Sequence, residues 1–251
     1  MKSASTALVL SFIVFLTFGQ RPEADQVETG MGLLTIQPVQ HASIVFTWKG
    51  KTIYFDPSGS KTLFEGLAKP DVIFITDIHG DHFNAKTIEE LDSSSATLVA
   101  PKAVIDLMSD AMKERAVSIA NGETKEIQGM KVTGVPMYNL PEAADSRHTK
   151  GRGNGYIIDF GGTRVYISGD TEDIPEMRSL QDIDVAFVCM NLPYTMDIHL
   201  AASAVLDFKP KIVYPFHYRG QGGFSDTEEF KSLVNASDKS IEVRLRNWYA
   251  Q

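Results

Sequence analysis

Cysteine is nearly absent from this sequence, since Cys189 is the only one among 251 residues. A single cysteine cannot form an intramolecular disulfide, and it cannot supply the cysteine cluster of a closed structural zinc site. Cys189 falls inside the apolar run 185–189, which predicts a small buried core residue and not a nucleophile. Packing, with or without a bound metal, must therefore stabilise the fold.

The chain also lacks an excess of positive charge. Its formal net charge is −8 at pH 7, and no long basic run offsets it. Neither a phosphate backbone nor an anionic bilayer would therefore attract the protein in general. We expect a small-molecule substrate, no nucleic-acid partner, and no stable membrane association once the leader described below is cleaved. The sequence does not define an oligomeric state.

Several common signatures of enzymes and repeat proteins are missing as well. The sequence has no G-x-S-x-G nucleophile elbow, no P-loop, no dinucleotide-binding glycine pattern and no internal repeat. Hydrophobic residues make up 43% and charged residues 22%, which is typical of a globular protein. Roughly 225 residues remain after the leader, a length that suits one α/β domain better than two.

Residues 1–19 are predicted to be a secretory signal peptide. Lys2 gives a positive start, and the apolar run over residues 7–18 has the length of a signal-peptide core but is short for a membrane span. Thr17 and Gly19 are the small residues expected just before a cleavage site. The mature protein would then be periplasmic or secreted. An uncleaved N-terminal anchor is the alternative.

A short linker over residues 20–32 and one domain over residues 33–251 are predicted to follow. Apolar strand-like runs alternate with helix-like stretches through this domain, which predicts an α/β architecture. The strands are expected over residues 33–39, 43–48, 52–55, 72–76, 97–100, 131–136, 156–160, 164–168, 185–189 and 211–215, and the helices over residues 85–91, 102–114, 175–180, 198–208 and 227–234. The long polar segment 141–155 is typical of a functional loop.

Four of the apolar runs end directly in residues that can bind a metal or a substrate. These residues are Asp77, His79, Asp81 and His82 after the first run, and then Asn139, Asp170 and His217 after three later runs. Such strand ends are where active sites collect. Gly80 is expected to allow a tight turn, so that one loop supplies two adjacent metal ions. Mixed imidazole and carboxylate donors suit Zn, Mn or Fe.

At these residues the sequence resembles the metallo-β-lactamase superfamily. The family signature is a strand followed by His-x-His-x-Asp-His, and then a histidine, a bridging aspartate and a final histidine at later strand ends. Gln40-His41-Ala42, Tyr54-Phe55-Asp56-Pro57 and the Gly-Asp-Thr at 169–171 add to the likeness, which spans residues 33–220. The relatives it resembles are hydrolases similar to L-ascorbate-6-phosphate lactonase and to N-acylphosphatidylethanolamine phospholipase D. The resemblance implies a four-layer αβ/βα sandwich of two mixed β-sheets flanked by helices.

The resemblance also implies a set of metal ligands. Asp81, His82 and His217 would hold the second ion, and Asp170 would bridge it to the first. One or two Zn²⁺ ions are expected, and Mn²⁺ or Fe²⁺ would also suit these donors. A bound divalent ion lowers the pKa of water toward roughly 7. Asp81 would orient this water and Asp170 would hold the ions together, so both are candidate catalytic residues.

The first site departs from the family pattern, because only His79 matches it. Asp77 stands where the family usually has histidine, and Asn139 stands near the expected third histidine. Asp77 could be an oxygen ligand with Asn139 or water completing the site, His148 could fold back as the missing imidazole, or the site could be empty and the enzyme mononuclear. Weaker binding is expected at this site, and a histidine at position 77 is expected to strengthen its affinity for zinc.

Other residues are candidates for supporting the ligands or contacting substrate. His41 and Asp56 could orient metal ligands, or they could simply hold a turn. Tyr194 could contact substrate or belong to a turn. The loop 141–155 carries four basic or ionisable side chains, Arg147, His148, Lys150 and Arg152. Their charge favours an anionic substrate, because Arg binds phosphate or carboxylate with two hydrogen bonds.

The sequence therefore favours a metal-dependent hydrolase that acts on an ester, lactone, amide or phosphodiester bond of a small anionic substrate. A metal-dependent oxidoreductase on the same fold is one alternative, because iron bound by histidine and carboxylate can activate oxygen. A non-catalytic module that binds a metal or ligand is another. The identity of the bound metal and a panel of hydrolysis substrates separate the three hypotheses.

We expect the mature protein to begin at about Gln20 and to be recovered outside the cytoplasm, because the apolar run and small residues direct export. N-terminal sequencing of the purified protein checks this. Leu10→Arg, which interrupts the apolar run, should leave the leader attached. Wild-type protein found in the cytoplasm with Met1 or Lys2 retained would contradict the prediction.

Overall fold

The computed structural model describes residues 21–249. The predicted signal peptide lies outside these residues. The described residues form two seven-stranded sheets, a two-stranded hairpin and six α-helices. Within this range every helix is too short or too polar to traverse a bilayer.

The first sheet follows the chain in strict order. Its strands are β1 (Asp25–Thr29), β2 (Gly32–Gln40), β3 (Ser43–Trp48), β4 (Lys51–Phe55), β5 (Val72–Phe74), β6 (Thr97–Ala100) and β7 (Ala116–Ser118). Strands β1 to β4 form an antiparallel meander, whereas β4 to β7 are parallel. Parallel neighbouring strands need crossover connections. The crossover from β5 to β6 contains α1 (Ala85–Glu90), and the crossover from β6 to β7 contains α2 (Lys102–Asp106) and α3 (Asp110–Lys113).

The second sheet has the same plan. Its strands are β8 (Thr124–Ile127), β9 (Met130–Met137), β10 (Gly153–Asp159), β11 (Arg164–Ile167), β12 (Val185–Cys189), β13 (Ile212–Phe216) and β16 (Glu242–Val243). Strands β8 to β11 are antiparallel, and β11, β12, β13 and β16 are parallel. Its helices are α4 (Pro175–Arg178), α5 (Ile198–Phe208) and α6 (Thr227–Ser237). The hairpin β14 (Arg219–Gly220) and β15 (Gly223–Phe224) follows β13.

Local sequence explains the central strands and the longer helices. Every residue of β12 is buried, as expected for a parallel strand covered on both faces. Helix α5 begins where the Asp197 carboxylate accepts the backbone N–H groups of His199 and Leu200. Its buried residues include Ala201, Val205 and Phe208, a spacing of three and four that places them on one face.

The two sheets pack face to face around an aromatic core. Phe46 of β3 has its ring centroid 5.8 Å from that of Phe160, which directly follows β10, and 5.6 Å from that of Phe187 in β12. Helices α1 to α3 cover the outer face of the first sheet, where Ile88 and Val104 are buried. Helices α4 to α6 cover the second. This four-layer arrangement confirms the predicted architecture.

Some predicted boundaries are corrected. Residues 25–29, assigned to the linker, form β1, which pairs with β2 along its whole length; the ordered sheet therefore starts before residue 33. The single helix expected over 102–114 is two short helices, because Ser109 has an extended conformation with ψ 160°. Strands β7 and β8 were not predicted. Both are short, and Lys125 and Glu126 of β8 interrupt any apolar pattern.

Strands β5, β9, β11 and β13 end on the same side of the sandwich. The residues that follow them are therefore brought together, although the chain separates the first from the last by about 140 residues. The ligands predicted from the sequence lie at this edge.

Candidate metal centre

His82 and His217 face the carboxylate of Asp170, and Asp81 lies beside them with its Oδ2 4.0 Å from His82 Nε2; we call Asp81, His82 and His217 the second cluster. His82 Nε2 lies 3.2 Å from Asp170 Oδ2 and 3.2 Å from His217 Nε2. His217 Nε2 lies 3.3 Å from Asp170 Oδ1 and 3.5 Å from Asp81 Oδ2. Two donors bound to one tetrahedral zinc ion at about 2.0–2.1 Å are separated by roughly 3.3 Å. The spacing therefore fits a shared ion.

The hydrogen atoms inferred from the neighbours of His82 support the same conclusion. Its Nδ1 lies 2.9 Å from Asp56 Oδ2, and because a carboxylate only accepts, Nδ1 donates. An imidazole that binds a metal is neutral, and with Nδ1 as the donor Nε2 is then the nitrogen that offers a lone pair to the ion. Among the described residues, His148 Nε2 and Asp170 Oδ1 are also buried without a hydrogen-bond partner. Buried polar atoms are nearly always satisfied, so these donors fit a cation.

Asp77, His79 and His148, the first cluster, lie beside the second. Their donor atoms are all within 4.8 Å of one another. His79 Nδ1 lies 2.5 Å from Asp77 Oδ2, and His148 Nε2 lies 3.9 Å from the same oxygen. His148 Nε2 is also 3.2 Å from Asp170 Oδ2. Asp170 Oδ2 therefore has one imidazole of each cluster at the same distance, which is the position of a bridging carboxylate.

Asn139 holds His148 and does not face the ion site. Its Oδ1 accepts the backbone N–H of His148 at 2.8 Å and the Nδ1–H at 3.1 Å. Its Nδ2 donates to the carbonyl of Tyr194 at 2.9 Å and to Glu172 at 3.1 Å. Among the three alternatives for the first site, the geometry favours the one in which His148 folds back as the missing imidazole. The alternative in which Asn139 is a metal ligand is wrong, because both ends of its amide are hydrogen-bonded to other protein groups.

Asp56 orients His82 through a buried network. One oxygen accepts the backbone N–H of Thr76 at 2.8 Å, and the other accepts the Thr76 hydroxyl at 2.6 Å as well as His82 Nδ1. Burial raises the pKa of Asp56, against the opposing effects of His82 and Thr76. A carboxylate that holds a ligating histidine in one tautomer raises its basicity as a ligand. The orienting role is therefore favoured over that of a turn cap.

His41 connects Asp81 to the end of the chain. Its Nε2 is 3.2 Å from Asp81 Oδ2, its Nδ1 is 2.6 Å from the Tyr249 hydroxyl, and its ring centroid lies 3.8 Å from that of His217. Burial lowers the pKa of His41, although Asp81 opposes this. The neutral ring donates to Asp81 and accepts from Tyr249. Tyr249 was missed because nothing in its local sequence marks it.

Backbone conformation places several of these side chains. His41, Asp56 and His217 have φ of 54°, 43° and 46°, a left-handed conformation that costs about 1–3 kcal/mol at a non-glycine residue. Each follows a strand, and the turn directs its side chain into the site. Gly169 has a left-handed φ of 61°, and a Cβ there would lie 2.7 Å from Met137 Sδ, so a larger residue would be strained and would displace Met137. Gly80 lies in the predicted tight turn, which is closed by the backbone N–H of His82 donating to the carbonyl of His79 at 2.9 Å, but its φ is not left-handed and a Cβ would meet nothing within 4 Å, so the turn does not require glycine.

The carboxylates of the centre are ionised at neutral pH. Burial raises the pKa of Asp170, but the imidazoles of His217 and His82 outweigh it and hold that pKa well below its usual range. Burial likewise opposes the hydrogen bonds from His217 and His41 that lower the pKa of Asp81. For Asp77, burial is outweighed by His79 and other neighbours, which lower the pKa to about 2. Three anions in one site favour a cation.

The loop predicted over residues 141–155 ends at Arg152, because β10 begins at Gly153. Its basic side chains are not all free to bind substrate. Arg152 Nε lies 3.3 Å from Asp77 Oδ1. Lys150 Nζ lies 3.0 Å from carboxylate oxygens of both Glu142 and Glu176. Arg147 is exposed, with its guanidinium 4.5 Å from the ring centroid of Tyr194. Of the predicted cationic group, Arg147 is therefore the side chain best placed to meet an anion.

Cys189 is buried, and burial raises the pKa of its thiol to about 11. A neutral thiol at this depth is a poor nucleophile. The prediction of a core residue is confirmed.

Comparison with known proteins identifies relatives of this chain. A family model described as beta-lactamase superfamily domain matches residues 35–217. A UPF0173 metal-dependent hydrolase from Pyrococcus horikoshii is 32% identical over 188 residues, covering 72% of this chain and 81% of the relative.

Solved structures of other proteins are also similar to this chain. The crystal structure of a protein assigned as a metal-dependent hydrolase from Parabacteroides distasonis is 38% identical, with a TM-score of 0.77 over 90% of this chain and 98% of that chain. Igni18, a metallo hydrolase from Ignicoccus hospitalis, has a TM-score of 0.70 at 23% identity and covers 84% of this chain and 94% of its own. This second likeness shows a shared fold.

Asp56→Asn should weaken Zn²⁺ binding at the second cluster by about 10–100-fold, because an amide has one accepting oxygen and cannot replace both carboxylate oxygens that hold Thr76 and His82. Titration of metal-free protein against a competing chelator measures this. Asp71→Asn is the matched control, since Asp71 accepts the backbone N–H of Thr52 at 2.7 Å at the far end of the same two strands. Unchanged zinc affinity in Asp56→Asn would contradict the orienting role.

In protein supplied with Zn²⁺, His148→Ala should bind one ion fewer than the wild type and keep the tighter one, because the substitution deletes an imidazole of the first cluster only. Metal analysis after dialysis, together with the same chelator titration, gives the stoichiometry. His199→Ala, at an exposed position of α5, should retain both ions. A His148→Ala protein that still holds two ions with wild-type affinity would exclude His148 as a ligand.

Proposed function

Since this chain belongs to the β-lactamase superfamily and is a metal-dependent hydrolase, we propose that its two clusters and Asp170 form a two-ion catalytic centre. The proposed ligands are Asp77, His79 and His148 for the first ion and Asp81, His82 and His217 for the second, with Asp170 shared. The observation that carries the proposal is the equal 3.2 Å separation of Asp170 Oδ2 from His148 Nε2 and His82 Nε2.

Zn²⁺ is the proposed metal, because four imidazoles and three carboxylates match its preferred donors. Mn²⁺ or Fe²⁺ would be accepted by the same set. When bound, the ions supply Lewis acidity that lowers the pKa of water toward roughly 7 and polarises the bond to be cleaved. Such a centre makes a serine or cysteine nucleophile unnecessary.

Asp81 is the carboxylate we propose to meet water and substrate. Its side chain is 38% exposed, whereas those of Asp170 and Asp77 are 4% and 0% exposed. The N–H of His41 holds Asp81 Oδ2, so the carboxylate has a fixed direction. Asp81 would therefore orient the attacking water, while the buried carboxylate of Asp170 holds the two ligand clusters together.

A small anionic substrate is supported by two arginines beside the centre. Arg147 lies over Tyr194, whose carbonyl holds Asn139, and Arg219 lies over Tyr249, 4.9 Å from the ring centroid. Both guanidiniums are exposed, and Arg recognises carboxylate or phosphate through paired hydrogen bonds. We propose an ester, lactone, amide or phosphodiester that carries such an anionic group.

The test is a hydrolysis panel in which each anionic substrate is paired with a neutral analogue of the same scissile bond. His217→Ala should abolish turnover, because it removes a ligand from the second cluster. Arg147→Gln and Arg219→Gln should each raise KM for the anionic substrate about tenfold, the equivalent of about 1.4 kcal/mol, and should leave KM for the neutral analogue unchanged.

Lys49→Gln is the matched control for those arginines. Lys49 also lies over an aromatic ring, 5.3 Å from the centroid of Trp48, but in the turn between β3 and β4 at the opposite end of the sheet. Turnover that survives in His217→Ala would refute the catalytic centre. Equal effects of the arginine variants on both members of a pair would refute the anionic substrate.

A further inference from the structure

Asp77 introduces a buried negative charge at a position where the related family usually has a neutral histidine. Its side chain is fully buried, and the proposed centre already contains the carboxylates of Asp81 and Asp170. A third carboxylate would reduce the net charge of a two-ion centre from plus two to plus one. An uncompensated buried charge is also costly in the metal-free protein, so a compensating group is expected nearby.

Arg152 is that group. Its Nε lies 3.3 Å from Asp77 Oδ1 and its Nη2 lies 3.3 Å from Asp77 Oδ2. This is the two-pronged arrangement in which Arg fixes a carboxylate in one plane. The Nη2 group also donates to the carbonyl of Arg147 at 2.5 Å. The Arg152 side chain is only 20% exposed. Its hydrogen bonds are made within the protein, to the Asp77 carboxylate and to the Arg147 carbonyl.

The same loop delivers both residues that complete the first cluster. His148 and Arg152 are four residues apart in the loop between β9 and β10, and the carbonyl of Thr149 accepts the backbone N–H of Arg152 at 3.2 Å. The loop therefore places the imidazole of His148 at the proposed first ion site. It also places the guanidinium of Arg152 against the Asp77 carboxylate. This placement corrects the prediction that Arg152 belongs to a substrate-binding group.

We infer that Asp77 and Arg152 act as one unit that takes the place of the missing histidine. Asp77 offers an oxygen donor to the first ion, and Arg152 holds that carboxylate in position and cancels its charge. Arg152 is thus a positioning residue that acts through Asp77. The inference rests on the proposed two-ion centre, and it has a consequence that the centre alone does not have: residues 77 and 152 must be exchanged together.

Asp77→His is therefore expected to weaken the first ion, contrary to the expectation from the sequence. The new imidazole is a good zinc donor, but it leaves the Arg152 guanidinium unpaired beside two divalent ions. We expect first-site Zn²⁺ affinity to fall at least tenfold in Asp77→His. The double variant Asp77→His/Arg152→Gln removes the stranded charge and should recover affinity to within about threefold of wild type, a difference of about 0.65 kcal/mol.

The experiment titrates metal-free full-length proteins with Zn²⁺ against a chelator and follows both binding steps. Asp77→His/Arg147→Gln is the matched control, because it removes the same charge from the same loop at a residue whose side chain contacts Tyr194 and not Asp77. Recovery in the Arg152 double variant but not in the Arg147 one is the expected result. A double variant no better than Asp77→His, or equal recovery by both, would overturn the inference.

Two further measurements show whether each variant is folded, so that misfolding is not mistaken for a loss of zinc affinity. Retained binding of the second ion, together with a cooperative thermal unfolding transition of the metal-free protein, shows that each variant is folded. If the wild type has no first-site ion that His148→Ala removes, the proposed centre itself fails. If that ion is present and the Arg152 double variant does not recover, only the coupling of Asp77 and Arg152 fails.

Discussion

Both oxygens of the Asp170 carboxylate face imidazole nitrogens that come from three other segments of the chain. Together with six other donor side chains, Asp170 forms a set of seven in a space from which most water is excluded. Three of these side chains are anions, and like charges at such distances repel strongly at low dielectric. The arrangement becomes favourable when divalent cations share the donors. Much of the surrounding structure can be understood as a means of holding these groups together.

That support comes from residues that do not touch the ions in the proposed centre. Asp56 fixes the tautomer of His82, Asn139 does the same for His148, and His41 holds Asp81. Each uses a carboxylate, amide or imidazole whose own partners are in place, so the ligands are oriented before an ion arrives. The left-handed backbone at three strand ends has a cost, which the packed sheets around it offset.

The centre lies at one edge of the sandwich, and loops that follow strands of both sheets contribute ligands to it. The loop after β5 provides Asp77 through His82, whereas the second sheet provides Asp170, His217 and the loop that carries His148. Neither sheet holds a complete ligand set by itself. Metal binding is therefore coupled to correct packing of the two halves of the sandwich, and the ions would stabilise the folded protein by linkage.

The sequence by itself determined the α/β architecture, most strand positions and the loop Asp77–His82, because hydrophobic periodicity and turn chemistry act over a few neighbouring residues. It also identified Asp170 and His217, since both follow directly after apolar strands. It left open the roles of His148 and Asn139, it assigned Arg152 to substrate, and it gave no sign of Tyr249 or of strand β1. These depend on contacts between residues far apart in the chain: 75 positions separate Arg152 from Asp77, and 208 separate Tyr249 from His41. Only the packing of the two sheets brings such pairs within hydrogen-bonding distance, and so only the tertiary structure decided which charges are neutralised and which imidazoles face the ions.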